Sequence, residues 1–151
     1  MRARRKASRR GIVLLDIVLA IAVMSLAALV LMPRPRAGVS AADLEAEAVK
    51  VAASFREGRS LAVRQQGAVD IEVDAQRGRI SVAGGEPLTI RNGIGLRWVT
   101  SNLCPLIAGQ RALRYLSDGR SCGGVLTLTG GGRSMELRVD WLTGRVEMAS
   151  I

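Results

Sequence analysis

The arrangement of hydrophobic and polar residues changes along the chain, and its first feature is a nearly unbroken apolar run. Residues 12–32 contain one charge, Asp16, and one hydroxyl, Ser25. As an α-helix this run is about 31 Å long, close to the roughly 30 Å hydrocarbon thickness of a bilayer. It therefore predicts a helix that can cross a membrane.

A second helix is predicted within the segment 33–67. Two prolines interrupt the helical hydrogen bonds after the first run, and Ser40 or Asp43 can cap a new start. The apolar residues that then share one helical face are Leu44, Ala48, Val51, Ala52, Phe55 and Ala62. The helix is expected to end at Gly67, where a residue with positive φ is favoured.

After this helix the pattern changes to alternation of apolar and polar residues, which is typical of strands with one buried face. Glycine-containing turns separate the alternating segments. The turn at 76–78 predicts a hairpin between the strand 69–74 and a second strand with Ile80 and Val82, and Asn-Gly at 92–93 predicts a further turn. The segment 100–109 has no clear period and is expected to be a loop. About seven short strands are predicted within 68–151, so the fold class is α+β, with a helix packed on antiparallel sheet.

The charge of the chain is concentrated at its N-terminus. The 151 residues carry 22 basic and 13 acidic side chains, a net charge of +9. The basic residues that precede Gly11 are Arg2, Arg4, Arg5, Lys6, Arg9 and Arg10. Without these six, 16 basic residues face 13 acidic ones. Because basic residues beside a span stay on the cytoplasmic side, the C-terminal domain is expected on the opposite side of the membrane.

Two ordinary explanations compete for this N-terminus. A secretory signal peptide has an apolar core of about 7–15 residues and a small-x-small cleavage site. This run is longer, and Met-Pro-Arg-Pro-Arg follows it. An uncleaved membrane anchor is the stronger alternative. Asp16 argues against it, because a carboxylate inside a span costs about 2.5–3.5 kcal/mol at mid-helix and usually has a partner.

A basic leader, Gly11, and an apolar helix with a carboxylate five residues past the glycine together resemble the N-terminus of type IV prepilins and pseudopilins. The resemblance implies cleavage by a prepilin peptidase after Gly11, N-methylation of Ile12, and pairing of Asp16 with the amino terminus of a neighbouring subunit. The family more often has Phe at the position of Ile12 and Glu at the position of Asp16. The implied division of the chain is a leader 1–11, a transmembrane and assembly helix 12–32, a helix continuation 33–67, and a periplasmic β-rich domain 68–151.

The C-terminal half extends this resemblance. An Asp-Gly turn at 118–119, an apolar strand, a glycine turn and a Thr-Gly turn at 143–144 follow one another as in the type II secretion system protein H family. Tyr115 matches an aromatic residue of that pattern, whereas Ser117 replaces a proline. Related minor pseudopilins of type IV pilus systems share the domain. The resemblance implies a pilin-like form of the α+β fold.

The same resemblance implies a structural subunit, not an enzyme. It describes a minor pseudopilin near the tip of the short periplasmic fibre that drives export of folded proteins across the outer membrane. The implied partners are other minor pseudopilins, the major pseudopilin, the prepilin peptidase and the inner membrane, with secreted substrates as further candidates.

The residues themselves predict no catalytic, metal or cofactor site. The chain has no histidine, which removes the commonest general base and metal ligand. It also lacks a phosphate loop and a Cys-x-x-Cys pair. The alternating carboxylates of 69–74 are interpreted as a solvated strand face, because two side chains on one strand do not enclose a calcium ion.

Two functional alternatives stay open. A related pseudopilin could bind DNA during uptake through the thirteen arginines after Phe55, for example Arg133, Arg138 and Arg145. The nearly balanced charge of the domain argues against strong DNA binding. The other alternative is an uncleaved anchor that carries an unrelated periplasmic binding domain.

The two cysteines predict a disulfide. Cys104 and Cys122 are the only cysteines, each lies in a predicted loop, and a periplasmic domain is in an oxidising compartment. Closing a loop of this length stabilises the fold by about 3 kcal/mol in the chain-entropy model. The alternative is two separate buried thiols.

Overall fold

The computed structural model describes residues 10–31, 38–83 and 85–151. Residues 1–9 of the predicted leader 1–11 and the proline-containing stretch 32–37 lie outside the described residues. The chain divides into two compact units after Arg36. The described elements are α1 Arg10–Leu31, α2 Ala41–Gln65, β1 Val69–Asp74, β2 Arg79–Val82, β3 Leu88–Thr89, β4 Gly95–Thr100, β5 Leu106–Ile107, β6 Gln110–Arg111, β7 Leu113–Tyr115, β8 Gly124–Gly130, β9 Arg133–Val139 and β10 Val146–Ser150.

Both predicted capping residues act together at the start of α2. The Ser40 hydroxyl accepts from the Asp43 amide at 3.1 Å, and the Asp43 carboxylate accepts from the Ser40 amide at 3.0 Å. This reciprocal capping box satisfies amides that have no partner within the helix. The hydrogen bonds that the Asp43 carboxylate accepts from Ser40, together with the charge of Arg91, hold the pKa of Asp43 below its usual value.

The end of α2 differs from the prediction. Gln66, not Gly67, is the residue with positive φ, at +51°. Gly67 instead donates its amide to the carbonyl of Ala62 at 3.2 Å. The expectation for Gly67 is wrong by one position, because this C-cap places the left-handed residue just before the amide that closes the turn.

Two four-stranded antiparallel sheets follow. The first has the order β3-β2-β1-β7 and the second the order β10-β9-β8-β4, while β5 and β6 pair with each other. Helix α2 packs against strands of both sheets. The predicted α+β class, with a helix packed on antiparallel sheet, is confirmed.

Strand β4 does not pair with the strand that precedes it. The Asn-Gly turn at 92–93 lies between β3 and β4, and these two strands belong to different sheets. β4 pairs with β8 along six residues, whereas β3 has only two. A turn dipeptide determines a local chain reversal, and the longer strand interface then determines the partner.

The predicted loop 100–109 is also partly wrong. β5 lies within it and forms a short hairpin with β6, joined by Ala108 and Gly109 at φ values of +48° and +82°. Ten strands are described instead of about seven, because strands of two residues are too short to show an alternating period.

The core lies between α2 and the two sheets. All six residues of the predicted helical face are at most 1% exposed, which confirms that face. The largest fully buried side chains facing them come from the strands, and they are Ile71, Ile80, Leu113, Tyr115, Leu126, Leu128 and Leu137. Complete burial of one such apolar side chain contributes about 1.5–3 kcal/mol, so this shared core holds the loops described below in place.

Candidate functional site

Helix α1 presents an apolar surface. Its backbone is continuous from Arg10 to Leu31, so Gly11 and Ile12 lie in its first turn and Asp16 lies about one turn further on. Every large apolar side chain described between Val13 and Leu26 is at least 54% exposed within the chain. A helix that is apolar on all sides requires an apolar environment, either lipid or the helices of other subunits.

Asp16 is the one charge in the described part of this surface. It is exposed, and none of the ion pairs among the described residues involves it. By contrast, the Ser25 hydroxyl donates to the Ile21 carbonyl of the same helix at 2.8 Å. The carboxylate therefore remains available for a contact outside the chain, and the hydroxyl does not.

Within the part of the chain that the structure describes, no helix combines the length and the apolar content needed to cross a membrane.

In the globular unit, the Asp-Gly turn at 118–119 is held by its own carboxylate. Asp118 accepts from the Arg120 amide at 3.0 Å and from the Arg120 guanidinium at 2.6 Å. These hydrogen bonds lower the pKa of Asp118. The carboxylate is thus ionised at neutral pH and keeps this turn closed.

The Thr-Gly turn at 143–144 is organised in the same way by Asp140. The Asp140 carboxylate accepts from the Thr143 amide at 2.7 Å, from the Thr143 hydroxyl at 2.8 Å and from the Leu142 amide at 3.1 Å. These donors lower the pKa of Asp140, with the Thr143 amide as the largest cause. Asp140 is therefore the residue that shapes the turn between β9 and β10.

The two turns meet at one arginine of α2. Arg59 Nε donates to the Gly119 carbonyl at 3.1 Å. A Cβ atom on Gly144 would lie 3.0 Å from Arg59 Nε and would overlap the Gly119 carbonyl oxygen. Both glycines have positive φ, +82° and +63°. We call Arg59, Gly119 and Gly144 the turn cluster, since they join α2 to two turns that are distant in sequence.

The predicted disulfide lies beside this cluster. Cys104 and Cys122 are bonded, with Cα atoms 5.3 Å apart and a sequence separation of 18 residues. Next to Cys122, the Ser121 amide donates to the Trp141 carbonyl at 3.0 Å, and the Ser121 hydroxyl donates to the Asp140 carbonyl at 3.1 Å. The bridge fastens the loop before β8 to the loop after β4, and the Ser121 hydrogen bonds fasten it to the β9–β10 turn.

The carboxylates of β1 have partners of their own. Asp70 accepts two hydrogen bonds of 2.7 Å from the Arg114 guanidinium, and Asp74 accepts from the amides of Gln76 and Arg77. The sequence interpretation of a solvated face is thus too simple for these two residues. Among the described residues, no cluster of three or more side chains of metal-ligand type occurs.

A groove of about 600 Å³ opens between α2 and the start of β10. Its lining residues are Arg56, Arg59, Ser60, Val63, Arg64, Gly144, Arg145, Val146 and Glu147. Four guanidinium groups and one carboxylate thus surround one recess. We call this the arginine groove, and Arg59 and Gly144 belong both to it and to the turn cluster.

Sequence reasoning missed the arginine groove. It named Arg133, Arg138 and Arg145 as a candidate cluster, but Arg133 lines a different recess and Arg138 pairs with Glu136 at 3.0 Å. Only Arg145 lines the groove. The available signal was the spacing of Arg56 and Arg59, which are three residues apart and therefore neighbours on the helix surface.

Beneath the helix, Tyr115 is completely buried, and its hydroxyl has no hydrogen-bond partner among the described residues. Burial raises the pKa of Tyr115, while the nearby charges of Arg59 and Arg56 act in the opposite direction. This side chain is part of the core, and its hydroxyl remains neutral at physiological pH.

The comparison of sequences gives one significant relative. The chain is 26% identical over 137 residues to the type II secretion system protein H of Xanthomonas campestris pv. campestris. The aligned region covers 91% of this chain and 81% of that protein. No family model matches the sequence.

Solved structures share the fold. The minor pseudopilin EpsH from the type 2 secretion system of Vibrio cholerae matches with a TM-score of 0.57 at 12% identity, over 72% of this chain and 97% of EpsH. The type IV minor pilin FimU of Pseudomonas aeruginosa matches with a TM-score of 0.53 at 15% identity, over 70% of this chain and 92% of FimU. The globular unit therefore has the fold of minor pilins and pseudopilins, as the family resemblance implied.

Proposed function

We infer that this chain is a minor pseudopilin of the type II secretion system protein H family. It is a structural subunit of the periplasmic fibre whose assembly drives the export of folded proteins across the outer membrane. The observation that carries this proposal is the combination of an exposed apolar helix bearing one carboxylate with a globular unit of the minor-pseudopilin fold. A subunit of this kind acts by packing against its neighbours, so we propose a structural and not an enzymatic role.

The proposed topology is a single pass through the inner membrane, with the N-terminus in the cytoplasm and the globular unit in the periplasm. The supporting observations are the apolar sequence 12–32 and the six basic residues that precede it. Prepilin peptidase would remove residues 1–11, after which Ile12 becomes the methylated N-terminus. The mature chain would then consist of the assembly helix 12–32, its continuation 33–67 and the domain 68–151.

Asp16 is the proposed assembly contact. Four residues separate it from Ile12, which is about 6 Å along a helix, so a neighbouring helix shifted along the fibre axis can bring its amino terminus to this carboxylate. In an apolar surrounding such an ion pair is strong, and an unpaired carboxylate there is costly. The partners would be the other minor pseudopilins and the major pseudopilin, with a position near the fibre tip.

The test is complementation of a strain that lacks this gene. Asp16→Ala is expected to reduce fibre assembly and secretion severely, while Asp16→Glu preserves both, because the carboxylate is retained. Ser25→Ala is the matched control on the same helix, since that hydroxyl binds only its own backbone. Normal secretion by Asp16→Ala at normal protein levels would contradict the assembly role.

Processing is tested on the same strains. Intact-mass analysis should show a mature chain that begins at methylated Ile12 in the wild type and in both Asp16 variants. A chain that retains Met1 to Gly11 in a host with active prepilin peptidase would instead favour an uncleaved anchor.

A further inference from the structure

The guanidinium groups that line the arginine groove form no ion pair with a carboxylate of the described residues. Of the thirteen arginines after Phe55, all within the described part of the chain, five form ion pairs. Four of the remaining eight line this one groove, namely Arg56, Arg59, Arg64 and Arg145. Of the nine arginines after Phe55 that lie outside the groove, five are paired with carboxylates, whereas none of the four in the groove is paired with a carboxylate of the described residues.

This concentration of positive charge is unfavourable in the isolated chain. Arg56 and Arg59 are three residues apart on one helical face, where like charges repel, and Arg145 faces them from the other wall. Glu147 is the only carboxylate in the lining, and it stands opposite Arg138 in the β9–β10 register. The groove therefore retains an excess of positive charge.

The walls anchor the side chain of one arginine and the backbone beside another. Arg59 is fastened by its hydrogen bond to the Gly119 carbonyl, and Arg145 follows Gly144 in the closed turn shaped by Asp140. Between the charged groups lie two apolar side chains, Val63 and Val146. Guanidinium groups bind carboxylates through paired hydrogen bonds, and the valines can contact the apolar side chains between such carboxylates.

We propose that the arginine groove docks an acidic, extended polypeptide segment of a neighbouring protein in the fibre. Carboxylates of that segment bind Arg56, Arg64 and Arg145, and its intervening apolar side chains contact Val63 and Val146. The identity of the partner as a fibre component rests on the proposed function. The chemistry of binding does not depend on it.

A nucleic acid is a poorer match for this site. Duplex binding needs a basic stripe that follows many phosphates, whereas these arginines line one recess between a helix and a strand. Phosphates also gain nothing from the two valines, and the carboxylate of Glu147 repels them. An acidic peptide uses both the charged and the apolar parts of the lining.

The test measures binding of a short fluorescein-labelled peptide that alternates glutamate and alanine to the full chain in zwitterionic detergent, by fluorescence anisotropy. A peptide with glutamine in place of glutamate is the neutral probe. The groove variant is Arg56→Gln with Arg64→Gln. The control variant is Arg79→Gln with Arg97→Gln, which changes the net charge equally at two other exposed arginines without ion pairs among the described residues.

The acidic peptide should bind the wild type and the control variant with affinities within about twofold of each other, and the groove variant about tenfold more weakly. Binding should weaken as salt rises, and the neutral peptide should not bind. All four exposed side chains can be replaced without disturbing the core, which matching circular dichroism spectra should verify.

Three results would overturn the proposal. The first is that the acidic peptide does not bind at low salt. The second is that the control and groove variants lose peptide affinity equally. The third is that a duplex oligonucleotide binds through the same arginines more tightly than the peptide does. None of them would affect the assembly test on Asp16, so failure of the groove and failure of the proposed function are distinguishable.

Discussion

Replacing Gly144 by alanine tests whether the two turns really form one packed unit with α2. The added methyl group would overlap the Gly119 carbonyl oxygen and lie 3.0 Å from Arg59 Nε. The backbone at Gly144 also has φ of +63°, which alanine adopts only with strain. The substitution therefore combines a conformational cost with a steric one.

The two costs can be separated with a second glycine. Gly132 has a similar φ of +74°, but a methyl group there would meet nothing within 4 Å. Gly132→Ala should therefore cost only the left-handed strain, about 1–2 kcal/mol. Gly144→Ala should add an overpacking cost of about 1–3 kcal/mol and disturb the Arg59 hydrogen bond, for a total of about 3–5 kcal/mol.

Urea unfolding followed by tryptophan fluorescence measures both variants. The expected result is a free energy of unfolding that is lower for Gly144→Ala than for Gly132→Ala by about 2 kcal/mol or more. Equal losses would show that only backbone strain matters at Gly144, and would refute the packing of the two turns against each other.

Three further outcomes are expected from the same unfolding assay. Burial raises the pKa of Tyr115 in the folded protein. The stability that the neutral side chain contributes should therefore be complete below about pH 10, which is the pKa of tyrosine in the unfolded chain. Above that pH the free energy of unfolding should fall by up to about 1.4 kcal/mol per pH unit. Tyr115→Phe should abolish this loss of stability. Tyr115 is the single tyrosine of the chain, so ultraviolet titration of the folded protein reports on it alone, and ionisation near pH 10 would contradict the prediction. Cys104→Ser with Cys122→Ser should lower the free energy of unfolding by about 3 kcal/mol, and a reductant should bring the wild type to the same value; an unchanged value would exclude a stabilising bridge. Ser40→Ala should cost about 1 kcal/mol through loss of the N-cap, whereas Ser54→Ala on the exposed side of α2 should cost little; equal costs would argue against the capping box.

Local sequence patterns predicted the elements that are stabilised by contacts between residues close together in the sequence. The helical face from Leu44 to Ala62 follows from residue spacing, and the Ser40 cap follows from the side chain that starts the helix. The β1–β2 hairpin also forms as expected, with Val73 opposite Ile80. In each of these cases the stabilising contacts join residues that are near in sequence or share one period.

Features that depend on distant contacts were not predictable in this way. The partner of β4 is chosen from strands that lie along the whole domain, so the turn at 92–93 does not reveal it. Gly144 reads as an ordinary turn residue in the sequence. Its close approach to Arg59 and to Gly119 becomes visible only when the helix and both turns are assembled, since Arg59 and Gly119 are 60 residues apart.

The shared residues of the turn cluster and the arginine groove connect stability to recognition. Arg59 donates to the Gly119 carbonyl and also lines the groove, and Gly144 allows the turn to approach closely enough for Arg145 to form the opposite wall. A methyl group at Gly144 should therefore move Arg59 or the turn, and with it the spacing of the guanidinium groups. Gly144→Ala should then weaken binding of the acidic peptide under conditions in which the domain is still folded, while Gly132→Ala should not. If both variants bind the peptide as the wild type does, the groove does not depend on the turn cluster, and the two features serve separate purposes.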